Sequence, residues 1–333
     1  MRRAVACAKG VALRFSGPGL AYEGLARRAP NGTARWTGDV RFVREKLADP
    51  LRWKKPQRIF VNSMSDLFHP QVEFEVIAAA FGVMAVARQH TFLILTKHPE
   101  RAAEFFSWND RSTYRGPNHA QLHQLAAPLH FAQEYCEHKA LRDVDGALAG
   151  GWPLSNVHLG VSVEDQETLE HRVPVLRRLP AWFRWVSYEP ALGHADFTPV
   201  LPAAVMSSST PAPLDTVHTL AQHRRLWAAR RGQVGTGAVD WIVVGGESGS
   251  YARPFRVAWA RDVVAACARA GVPVFVKQLG GRPVVFDDGK WGPLSLKSQK
   301  GNDPSEWPAE LRVRQVPAAI CNPGELVQAL RAA

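Results

Sequence analysis

Six short apolar runs in this 333-residue chain each end in side chains able to move a proton, bind an anion or donate a hydroxyl. Residues 58–61 lead into Asn62, Ser63, Ser65 and Asp66, and residues 91–95 into Thr96 and Lys97. Residues 157–161 end at Ser162 and Glu164, and residues 183–186 at Ser187 and Glu189. Residues 241–244 end at Gly245, Gly246, Glu247 and Ser248, and residues 274–276 at Lys277 and Gln278. Four acids and two lysines at such ends exceed what loop solvation requires. A set with both signs suits a zwitterionic or phosphate-bearing ligand. A carboxylate at Glu189 is costly unless paired, so Lys97 or Lys277 is its expected partner. Glu189 and Glu247 also admit a metal-independent hydrolase.

Each motif has a plainer reading beside the functional one. Asp66 can cap a helix start, with the hydroxyls of Ser63 and Ser65 satisfying free N–H groups. Lys97 is either a solvated charge or an inward one. Glu189-Pro190 can simply end a strand. Gly245-Gly246-Glu247-Ser248-Gly249 lacks the G-x-G-x-x-G order of a dinucleotide fingerprint and the G-x-S-x-G spacing of a nucleophile elbow. Its glycines favour close backbone approach to a ligand over an idle turn.

The elements that must position these groups follow from the runs. Each is short, rich in β-branched and aromatic residues and closed by polar or turn residues, as buried parallel strands are. Residues 73–87, 99–106, 164–179 and 257–270 carry helical patterns between them, with Pro99 in a first turn and Gly271 at a C-cap. Strand and helix in alternation predict a parallel α/β sheet with right-handed crossovers, whose ligands bind at the C-terminal strand ends. The expected class is a partial TIM-like barrel of about six β/α units. Residues 1–50 read as a basic lead-in. Residues 51–280 read as the partial barrel, with insertions at about 107–152 and 194–239. Residues 281–333 read as an irregular C-terminal extension. The first insertion predicts a helix over 120–142. The second holds a Ser/Pro-rich stretch at 207–213 and a basic helix with Arg224, Arg225, Arg230 and Arg231.

The net charge of +11 favours a polyanionic partner, nucleic acid above all, or else reflects a genome-wide basic bias. Arg52-Trp53-Lys54-Lys55-Pro56 mixes basic and aromatic character, as a strand-stacking loop or a surface loop with a packed tryptophan does. Cys7, Cys136, Cys267 and Cys321 have no paired spacing, which favours a reducing cytoplasmic setting and gives no zinc motif. His119 and His123 stand at helical i, i+4 spacing without the adjacent acid of a zinc protease; His130 and His138 follow them. No apolar run is long enough for a membrane span, and none reads as a secretory signal.

Residues 51–56, 59–69 (IFVNSMSDLFH), 89–92 with 95–97, 159–164, 187–190 and 244–249 closely resemble a family of phage and bacterial proteins of unknown function, of the mycobacteriophage type. Residues 63–70 and 95–97 are also similar to strand ends of radical S-adenosylmethionine enzymes of the spore-photoproduct-lyase type. The resemblance implies their partial β/α barrel, S-adenosylmethionine and a four-iron four-sulfur cluster as cofactors, and a nucleic-acid substrate. It implies cofactor-binding roles for Ser63, Ser65, Asp66, Thr96, Ser162, Glu164, Gly245 and Gly246. Lys97, Glu189, Glu247 and Lys277 take the catalytic positions. Family members begin with three close cysteines ending in Cys-Tyr-Ala. Here only Cys7 matches, as the one candidate metal ligand, and the tyrosine is missing. The expectation is therefore that the chain as written does not hold the cluster, being either truncated at its start or degenerate. The alternative is a non-enzymatic nucleic-acid-binding protein of phage origin.

Overall fold

The structure, a computed structural model, describes residues 14–20, 22–30, 32, 34–111, 123–148, 151–202, 238–249 and 251–317. The 207–213 stretch, the basic residues 224–231, Cys7, Cys321 and His119 lie outside them.

Among its described residues the basic lead-in, which reads as irregular in sequence, holds an antiparallel pair, β1 (Ala26–Arg28) and β2 (Ala34–Trp36). The six apolar runs all form strands: β3 (Arg58–Val61), β4 (Thr91–Thr96), β5 (Val157–Ser162), β6 (Phe183–Tyr188), β7 (Trp241–Gly245) and, after a short β8 (Phe255–Arg256), β9 (Val274–Gln278). They pair in parallel in the order β3-β4-β5-β6-β7-β9. The helices between them are α1 (Phe74–Val86), α2 (Pro99–Arg111), α3 (His123–Tyr135), α4 (Gln166–Arg178) and α5 (Val257–Ala270).

This order never reverses. Every crossover therefore steps the same way, and right-handed connections put the helices on one face of the sheet. The side-chain alternation agrees. Phe92, Ile94, Leu159, Val161, Val186, Ile242, Val244 and Val276 join the main core with the helices. Their neighbours Leu93, Phe183, Trp185, Trp241 and Val243 form a separate cluster on the opposite face. That opposite face is concave. Strands lie about 4.8 Å apart, so β3 and β6 stand about 14 Å apart along the sheet. Yet the rings of Phe60 on β3 and Trp185 on β6 have centroids 6.1 Å apart. Curling brings them together, and the six strands form a half-barrel. Gly160 on β5 makes the curl possible, because a Cβ there would lie 2.5 Å from the Trp185 ring.

The helix layer shows why local sequence folds as it does. Pro128 inside α3 has no N–H, which orphans the Gln124 carbonyl one turn earlier. The buried Asn109 side chain donates to that carbonyl at 2.9 Å. Gly82 of α1 lets α3 approach: a Cβ there would meet the Pro128 carbonyl oxygen at 2.0 Å. Asp165 and Thr168 make a reciprocal capping box at the start of α4. Gly271 ends α5 in the left-handed conformation the sequence predicts, at φ 62°.

The segment after Gly280 differs from the irregular extension expected. It forms β10 (Pro283–Asp287) and β11 (Lys290–Pro293), antiparallel to each other, with β10 also parallel to β8. Asp288 and Gly289 both take positive φ between them, the two-residue hairpin turn such a dipeptide favours. Residues 312–316 then return along β9. Arg314 bridges Phe275, and Gln315 accepts from the Trp241 indole at 3.0 Å. Among the described residues no helix is long and apolar enough to cross a membrane.

Candidate functional site

The strand ends meet along one rim of the half-barrel, and three ion-pair groups occupy it. Asp66 ties β3 to β4. One of its oxygens accepts from the Thr96 hydroxyl at 3.0 Å and the Lys97 amide at 2.8 Å, and the other from the Phe68 amide at 3.0 Å. It caps no helix: the next helix begins at Phe74, and the segment after Asn62 is a run of turns. Thr96 in turn accepts from the His98 amide at 2.9 Å, which orders the entry to α2.

Lys97 points inward, not into solvent. Its ammonium bonds one oxygen of Glu164, and Arg172 of α4 bonds the other at 2.8 Å. Glu164 is only 5% exposed, so two cations offset the desolvation of its charge. Arg172 also donates to the Ser162 carbonyl at 2.7 Å, locking helix to strand end. Lys97 remains partly exposed, at 38% of its side chain, and faces the rim.

One strand over, Glu189 pairs with Lys277 at 3.2 Å and accepts from the Ser187 hydroxyl at 3.1 Å. Of the two lysines expected as its partner, Lys277 is the one the fold supplies. Gly245 exists for this carboxylate, since a Cβ there would lie 2.3 Å from the Glu189 Oε1. Gly246 makes room for the Leu279 carbonyl, at 2.3 Å from the same imaginary atom. Glu247 is 4% exposed and held by both sides of the Arg253 guanidinium, at 2.8 and 3.1 Å, and by the Arg253 amide at 3.0 Å. The glycine-rich loop is thus built around neighbouring protein atoms. Glu189 and Glu247 are thus each ion-paired within the fold.

The rim brings together Asp66, Thr96, Lys97, Ser162 and Glu164 on one side, and Glu189, Lys277 and Gly245 on the other. Ser63 and Ser65 are exposed on the turn after β3 and make no side-chain bond in this network among the described residues. Arg172 and Arg253 are not among the residues the sequence singles out. Arg172 follows Glu164 by eight residues, a little over two helical turns, and that spacing was the available signal.

Two cysteines lie among the described residues. Cys267 sits mid-helix in the core, and burial pushes its thiol up to about 12. Burial also raises Cys136, which follows α3. Among the described residues no group of three or more His, Cys, Asp or Glu could hold a metal ion. His138 accepts from the Ala140 amide at 3.2 Å.

The family model described as "Protein of unknown function (DUF5131)" matches residues 5–302. The chain belongs to the DUF5131 family. No curated protein and no solved structure matches this DUF5131 chain. The match spans β3 to β9 together with the three ion-pair groups, so the half-barrel and its rim both fall within the DUF5131 region.

Proposed function

We propose that the rim of this TIM-like half-barrel binds S-adenosylmethionine, in a cytoplasmic protein of phage origin whose substrate is nucleic acid and whose relatives are radical enzymes. One observation carries the reading. A sheet wound in a single direction sets carboxylates, lysines and hydroxyls from successive strand ends along one edge of its concave face. The cofactor is a zwitterion joined to a sulfonium and a nucleoside. Lys97 and Lys277, each partly exposed, are suited to its carboxylate. Glu189 is suited to its ammonium and sulfonium, with Glu164 holding Lys97 in place, and Asp66 and Thr96 to its ribose hydroxyls.

A four-iron four-sulfur cluster, where bound, supplies the electron that cleaves this cofactor. The described residues do not fit one. A cluster takes thiolates, and the two described cysteines, Cys136 and Cys267, are buried and held protonated by burial. The proposal is therefore of cofactor binding alone. Titration calorimetry with S-adenosylmethionine tests it. The expected result is a one-to-one heat that Lys97→Met abolishes without loss of fold; no heat from the native chain overturns it.

A non-enzymatic nucleic-acid-binding protein is the second reading, favoured by the net charge of +11. It expects no response to S-adenosylmethionine and a steep loss of binding with salt. Filter binding that stays flat across a salt series removes it.

A further inference from the structure

A second concave feature lies at the opposite end of β3 from the rim. Trp53, Lys54, Lys55, Gln57, Arg58 and Ile59 line an open groove of about 540 Å³. Trp53 is 43% exposed, and Lys54, Lys55 and Arg58 are exposed as well. None of these three cations has an acidic partner among the described residues; the nearby Asp49 is taken by Lys46 and Arg52. Concentrated positive charge beside an open indole face is maintained against self-repulsion, and it matches a polyanion that also carries rings.

The loop is held rigid from beneath. The buried His90 accepts the Gln57 amide at Nδ1 (3.0 Å), which places its proton on Nε2 to donate to the Pro50 carbonyl at 2.9 Å. The His90 ring stands edge-on to Trp53, with centroids 6.0 Å apart. Gln89 donates to the Trp53 carbonyl at 3.4 Å. The tryptophan is thereby presented at its backbone and ring, and a ligand meets it with little ordering cost.

We propose that this groove binds single-stranded nucleic acid, with Trp53 stacking on a base and Lys54, Lys55 and Arg58 contacting its phosphates. Stacking on an exposed indole needs an unpaired base, which a duplex does not offer. Four residue steps along the strand lead from Arg58 to Asn62, about 13 Å at 3.3 Å per residue. A strand held at the groove therefore reaches the rim along the edge of β3, past the exposed Phe60. The inference deepens the nucleic-acid part of the proposed function and is independent of cofactor binding.

Fluorescence anisotropy with a labelled oligothymidylate of about ten nucleotides tests it, within the span of known single-strand sites. Trp53→Ala should weaken binding roughly five- to 150-fold, the range that loss of one base stack gives. The triple variant Lys54→Gln, Lys55→Gln, Arg58→Gln should flatten the log-log salt slope by about 2, at about 0.7 per phosphate contact. All four residues are exposed, and unchanged thermal unfolding confirms that the variants fold. Native binding that these variants leave unaltered overturns the groove and leaves the rim proposal standing. No oligonucleotide binding at all overturns the groove and the nucleic-acid reading together. Tighter binding of duplex, or equal competition by heparin with no effect of Trp53→Ala, also overturns it.

Discussion

Arg172→Met is the most informative single change at the rim. It removes the cation that bonds Glu164 at 2.8 Å and the Ser162 carbonyl at 2.7 Å. Removing one partner of a buried pair costs about 3–5 kcal/mol because the other charge is left unpaired. Here Lys97 stays and still compensates the carboxylate, so the loss should fall at or below the lower limit, about 2–3 kcal/mol. Glu164→Gln should cost about as much, since the Arg172 side chain, 11% exposed, would keep only the Ser162 carbonyl. The double variant leaves neither charge stranded. Its cost should fall short of the sum of the singles by about 1.5–3 kcal/mol, the range of a charge-assisted hydrogen bond. Urea unfolding at neutral pH measures this cycle, read as midpoint shifts at constant slope. The coupling should change little between low and high salt, because the pair is sheltered from screening. Additive singles, or a coupling below about 0.5 kcal/mol, would show that the carboxylate is not desolvated and would refute the reasoning.

Three further changes probe other parts of the fold. Gly160→Ala sets a methyl 2.5 Å from the Trp185 ring and should cost about 1–3 kcal/mol in thermal unfolding, with changed near-ultraviolet dichroism; a neutral result would mean the indole is free to shift. Asn109→Leu leaves the Gln124 carbonyl, orphaned by Pro128, without its donor and should cost about 1–3 kcal/mol, whereas Asn109→Asp should do no better because it cannot donate. Cys267 carries a pH signature: its folded-state value is raised, so its contribution is complete below the unfolded thiol's value and declines as pH climbs toward about 12. Denaturation from pH 8 to 11 should show stability falling by up to about 1.4 kcal/mol per pH unit from this group, a slope that Cys267→Ala removes.

The strands were legible because short apolar runs closed by polar or turn residues mark them: β4 to β7 are buried along nearly their whole length, and the edge strand β3, exposed at Arg58 and Phe60, keeps the same pattern. The caps were legible for the same local reason: Gly271 and Pro99 act through their own backbones. What escaped the sequence was non-local. No neighbour of Gly160 announces that Trp185, on the next strand, needs its space. Glu189 could be matched to two lysines by charge, and only the strand order selects Lys277. Arg172 and Arg253 neutralise Glu164 and Glu247 from elements whose direction a one-dimensional reading does not give. The strands after Gly280 were hidden by their own brevity and by the Pro, Gly and Asp around them. The Asp288-Gly289 turn between them was nonetheless a hairpin signal in plain view.

The two margins of the half-barrel are finished differently. At β9 the chain folds back on itself through Arg314 and Gln315, so that border is sealed by its own polypeptide. At β3 no strand covers the outer border among the described residues. A sheet with one sealed and one unsealed side can be extended in one direction only, and stray pairing between molecules would start there. Lys54, Lys55 and Arg58 stand at that entrance, so like charge turns away a second copy at the place where a polyanion is drawn in.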